Sequence, residues 1–156
     1  MWVRAVSDET CRKSKDAVIP MNPKQISEQL PNGFHGALIE RVSVDYIGKN
    51  LEFVLTLLVP DESNLSGHSR LRRGRLQVEG LGYLTLNMPD PHSDYTRSGG
   101  FEIRGLLDTT PKICPSLPVF QAELGPGFFF HSFFVEEWNG FIHFAGTQAT
   151  FEWLEE

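Results

Sequence analysis

The chain has 156 residues, 40% of them hydrophobic and 22% charged, and a formal net charge of −6 at pH 7, which bounds it to one globular domain with at most a short appendage. Fourteen Lys and Arg stand against 20 Asp and Glu, which speaks against nucleic acid as a partner, because that binding needs cations to replace counterions along the phosphates. No apolar run approaches the roughly 18 residues of a membrane span, so no membrane association is expected.

The charge is unevenly spread. Residues 1–112 hold all 14 basic residues and 14 acids, whereas Glu123, Glu136, Glu137, Glu152, Glu155 and Glu156 give 113–156 the entire net charge. Such an end steers basic partners, or simply forms a solvated rim. The two cysteines, Cys11 and Cys114, lie far apart and do not form a disulfide framework. The first 20 residues lack the apolar stretch of a secretory signal, and a cytoplasmic protein is expected.

Residues 1–20 show no sustained periodicity and read as an N-terminal extension, with a single β domain over 21–156. Asn22 suits a helix N-cap and Pro23 a first helical position, while Ile26 and Leu30 lie one turn apart before Pro31-Asn32-Gly33 stops the run. From Phe34 the period becomes two. Residues 37–46 and 51–59 form a hairpin if Ile47-Gly48-Lys49-Asn50 turns, pairing Val42, Val44 and Tyr46 with Leu55, Phe53 and Leu51 on a dry face and leaving Ser43, Asp45, Glu52 and Thr56 on a wet one. Residues 60–73 read as a polar loop, and 74–87 as a strand that Gly80 and Gly82 bend towards closure. After a loop over 88–100, strands are expected at 101–106 and 119–124, separated by a proline-punctuated edge at 111–118.

The last segments, 127–138 and 141–154, read as a hairpin across Asn139-Gly140. That register gathers Phe128, Phe130, Phe134, Glu136 and Trp138 with Phe141, His143, Ala145, Ala149 and Phe151 on one face. Phe129, His131, Phe133 and Val135 share the other with Ile142, Phe144, Gln148 and Thr150. Both faces are largely apolar, so the hairpin is central, or one side of it lines a ligand cavity or a partner interface.

Chemistry-bearing residues are sparse. His131 and His143 fall on opposite faces and cannot share a zinc ion; His143 is expected opposite Glu136 as a structural pair. Asp90, His92 and Asp94 offer three ion ligands in five residues, although prolines and aspartates are also ordinary turn formers, and no metal or other cofactor is assigned. Arg70, Arg72, Arg73 and Arg75 form a basic cluster that suits a carboxylate or phosphate, a solvated loop, or pairing with the acidic C-terminal end. Trp138, beside the turn, is the tryptophan expected to be exposed; with Glu137 and the four arginines it makes up the candidate partner-binding set. Trp138 and Trp153 would also serve as a stacking platform, or as core. No nucleophile elbow, phosphate-cradling loop or Cys–His signature occurs, so no enzyme is expected.

The run from Phe34-His35-Gly36-Ala37 to Val42-Ser43-Val44-Asp45-Tyr46, followed by an alternating strand, resembles the opening of small, mostly uncharacterised bacterial β-proteins, some of which resemble immunity proteins of polymorphic toxin systems. The resemblance covers residues 34–59 and the segment from Trp138 to His143, and Gly36 stands where that pattern carries an acidic residue. It implies a non-catalytic binder of one cognate protein. The expectation is therefore an all-β antiparallel sandwich or flattened barrel of about seven or eight strands with a short N-terminal helix, acting through protein–protein interaction. The alternative is a β-cavity for a sugar or lipid.

Overall fold

The computed structural model describes residues 21–62, 67–86, 91–92 and 100–155, with the backbone alone for 106–108. The expected extension over 1–20, and Asp90 and Asp94 of the possible ion loop, lie outside the described residues.

Helix α1 (Pro23–Gln29) starts where Asn22 Oδ1 accepts the Gln25 N–H at 2.9 Å and Gln25 Oε1 accepts the Asn22 N–H at 2.9 Å. This reciprocal capping box satisfies two N–H groups of the first turn, and Ile26 anchors the helix in the core.

Strands β1 (Leu38–Asp45) and β2 (Asn50–Pro60) pair with Val42 opposite Phe53 and Val44 opposite Leu51, two residues away from the expected register. The cause is local. Asp45 Oδ1 accepts the N–H groups of Ile47 at 3.1 Å and Gly48 at 2.9 Å, which sets the turn at Tyr46–Lys49 and leaves Tyr46 83% exposed rather than on the dry face. An even shift preserves the faces, so Leu51, Phe53 and Leu55 are still fully buried.

Strand β3 (Ser69–Glu79) pairs with β2 along its whole length, from Pro60 opposite Ser69 to Asn50 opposite Glu79. Arg70, Arg72 and Arg73 therefore belong to a strand, not to the expected loop: the apolar end of β2, Leu57 to Val59, requires a partner for its backbone, and arginine stems lie readily along a sheet. The expected strand over 74–87 is cut at Gly80–Gly82. Its remainder, β4 (Tyr83–Thr85), pairs instead with a later strand in the other half of the fold.

Strand β5 (Phe101–Asp108) is followed by helix α2 (Leu117–Leu124), where 119–124 had read as a strand. Six residues are too few to separate the two periods. Pro118 in the first turn and Gly125 at φ 74° decide for a helix, which Phe120 docks on β4 by stacking against Tyr83 at 4.0 Å.

Strands β6 (Phe129–Val135) and β7 (Gly140–Gly146) form the expected hairpin in a different register, with Phe134 opposite Phe141 and Ser132 opposite His143. The turn is Glu136–Asn139, with Asn139 at φ 45°, because Trp138 is drawn down against Phe101, ring centroids 4.6 Å apart. The expected second arm also breaks after Gly146, and β8 (Gln148–Trp153) pairs with β3.

The eight strands form one open antiparallel sheet in the order β4-β7-β6-β5-β1-β2-β3-β8. It folds over into a sandwich-like all-β architecture. The chain changes halves along β5, which meets β1 through Phe101 and Glu102 and β6 from Ile103 onward, and again at Gly146-Thr147. Between the halves Phe53 meets Phe133 at 5.5 Å and Phe144 at 5.3 Å, and Phe34 meets Phe133 at 5.6 Å. Phenylalanine rings fill this space in edge-on and tilted contacts.

Candidate binding cleft

The period of two in β3 divides the four arginines between two environments. Arg73 and Arg75 lie on the outer face. The Arg73 fork grips Glu40, with Nη2 to Oε2 at 2.8 Å, and Glu40 also accepts the Thr56 hydroxyl. Burial opposes ionisation of Glu40, but the Thr56 and Arg73 hydrogen bonds, with the charges of Arg73 and Arg41, outweigh it and hold the carboxyl below the ordinary glutamate value. Arg75 bonds Glu152, with Nε to Oε1 at 2.7 Å, and reaches Glu52 at 3.4 Å; Arg41 pairs with the same Glu52 at 3.0 Å. Pairing with the acidic C-terminal end thus holds for Arg75, whose pKa the Glu152 hydrogen bond and charge raise further.

Arg70 and Arg72 face the other way. They line a cleft of about 420 Å³ whose walls include Leu30 and Pro31 after α1, Val59 on β2 and Trp153 on β8. The Arg72 guanidinium carbon stands 4.4 Å from the centroid of the Trp153 ring, a cation–π contact. Neither Arg70 nor Arg72 forms an ion pair among the described residues. Sequence reasoning reached these arginines but not their partner, since Trp153 comes beside them only through the pairing of Gly74 with Trp153, a contact between distant segments that no local pattern announces.

Glu137 and Trp138 occupy the β6–β7 turn. Glu137 Oε2 accepts the Glu102 N–H at 2.9 Å. Trp138 is half-buried rather than exposed, and its Nε1 meets no acceptor among the described residues. Glu102, Leu38, Thr56 and Arg73 stand in one row across β5, β1, β2 and β3. Three strand spacings of about 4.8 Å thus separate the turn's anchor from the arginine strand, and the structure does not gather the six sequence-predicted residues into one contact.

His143 does not face Glu136, which pairs with Arg104 at 2.5 Å. Its Nδ1 lies 2.7 Å from Ser132 Oγ, and Ser132 Oγ lies 2.6 Å from Thr109 Oγ1. Burial pushes the His143 pKa down, partly offset by a backbone hydrogen bond to Ile113. Ser132 is fully buried, which makes this chain a structural clasp between β6, β7 and the segment after β5 rather than an accessible nucleophile. His131 sits on the opposite face against Phe133 and Phe144, as the strand period requires. Among the described residues no three His, Cys, Asp or Glu side chains converge on an ion-sized site, and no helix is long and apolar enough to cross a membrane.

Comparison with known proteins finds no matching family model, curated protein or solved structure, so the chemistry of the site carries the functional argument.

Proposed function

We propose that the chain is a non-catalytic protein-interaction module that engages a cognate protein, in the manner of an immunity protein, through the end of the sandwich that carries the cleft. One observation carries this reading: Arg70 and Arg72 line a cleft beside Trp153 without an ion pair among the described residues, although the same strand saturates Arg73 and Arg75 with carboxylates. Arginine and tryptophan are the residues that anchor protein interfaces most often, because each combines apolar area with directional bonding. The packing of Phe53, Phe133 and Phe144 between the sheet halves favours a surface site over the interior sugar or lipid cavity.

The test is native mass spectrometry of tagged protein drawn gently from the cells that produce it. A stoichiometric protein adduct is expected. A bound mass of a few hundred daltons moves the small-ligand reading ahead, and a bare chain from cells expressing the candidate partner overturns the interaction reading.

A further inference from the structure

Resting on that interaction reading, we propose that the cleft between α1 and β3 is a receptor for a carboxylate-bearing side chain flanked by an apolar residue, so that the partner presents an acidic–apolar peptide segment to Arg72 and Arg70.

The guanidinium of Arg72 is held over the Trp153 ring. A stacked guanidinium has already lost much of its rotational freedom while its planar edge, with its fork of N–H donors, remains available, and that fork matches a carboxylate. Arg70 lies two residues along the same face of β3, at the spacing where a second donor set reaches the same ligand. Leu30, Pro31 and Val59 supply an apolar wall beside the two cations, where the residue next to the acid is covered. The charge balance selects the carboxylate over a phosphate. Glu62 also lines the cleft, and a chain of net charge −6 repels a dianion or a polyanion more than a single carboxylate.

The experiment uses the full chain and a fluorescein-labelled peptide with both ends blocked and two Glu-Leu pairs, read by anisotropy. The comparison peptide has Gln in place of each Glu. Expected is saturable binding of the Glu peptide, at least tenfold weaker binding of the Gln peptide, and a severalfold loss in Arg72→Gln and in Arg70→Gln. Arg72→Lys does not restore affinity, because an ammonium lacks the fork, and Arg73→Gln, which changes only the outer face, leaves it unchanged. Circular dichroism of each variant separates loss of binding from loss of fold. Equal binding of the two peptides, an Arg73→Gln effect as large as that of Arg72→Gln, or displacement by inorganic phosphate at lower concentration than by acetate overturns the proposal. Failure of the interaction reading looks different: the Glu peptide binds through Arg72 while native mass spectrometry finds no protein adduct. Conversely, a protein adduct that survives Arg70→Gln/Arg72→Gln refutes the carboxylate receptor and spares the interaction reading.

Discussion

The Nδ1 atom of His143 and the Oγ of Ser132 lie 2.7 Å apart across the β6–β7 ladder. The Ser132 hydroxyl lies in turn 2.6 Å from Thr109 Oγ1, and His143 also makes a hydrogen bond with the Ile113 backbone. Ser132→Ala leaves Nδ1 and the Thr109 hydroxyl short of a partner in a buried setting and is expected to cost about 1–3 kcal/mol. Urea unfolding of the variant checks this, and an unchanged midpoint refutes the clasp.

The depressed pKa of His143 has a definite sign for stability. The unfolded chain takes up the proton near 6.5 and the folded chain resists it, so the contribution of His143 is fully present above that value and is lost as pH falls below it, towards the lower folded value. Unfolding midpoints of the native chain are expected to drop as pH falls below about 6.5. The drop is smaller in His143→Gln; equal drops would show that other groups carry the acid sensitivity.

Glu40 behaves likewise for a different reason. Its folded pKa lies below the ordinary 4.5 because Thr56 and Arg73 favour the carboxylate over the opposing effect of burial, so its stabilisation is present above 4.5 and disappears as pH falls through the folded value. Glu40→Gln is expected to destabilise by a few tenths to about 1 kcal/mol near pH 7, as partly exposed pairs do, and by nothing measurable once the glutamate is protonated. Denaturant titrations of both chains at a series of pH values falling from 7 read the difference and the point at which it vanishes.

Gly146 marks the point where β7 gives way to β8. A Cβ there collides with Val78 Cγ1 and stands 2.9 Å from the Glu79 carbonyl oxygen, whereas at Gly105 the nearest atom is Phe134 Cβ at 3.7 Å. Gly146→Ala is expected to cost about 1–3 kcal/mol by overpacking, and Gly105→Ala far less. Equal midpoints for the two variants would contradict the close approach of β7 and β3.

These residues also show what the sequence made legible. The alternation of Leu51, Phe53 and Leu55, and of Phe129, His131 and Phe133, identifies strands and their faces correctly, because face membership survives any even shift of register. The registers themselves depended on turn chemistry that alternation does not encode: the Asp45 side chain bonding its own turn, and Trp138 seeking Phe101. The helix at 117–124 was too short for its period to register. Of the candidate site, the arginines were visible as a cluster. Their division into a carboxylate-paired pair and a cleft-lining pair required knowing that they sit on a strand, and Trp153 required knowing which strand lies beside it.

The cleft also has a place in the order of folding. Its tryptophan wall is set by the β3–β8 pairing, in which Arg75 and Glu152 meet although they stand 77 positions apart in the chain, and closing so long a loop is slow compared with forming the β1–β2 hairpin. The cleft is thus expected to be completed after the hairpins beside it. In a variant with Trp2 and Trp138 replaced by Phe, Trp153 emission followed in stopped-flow refolding becomes a clock for the completion of the cleft.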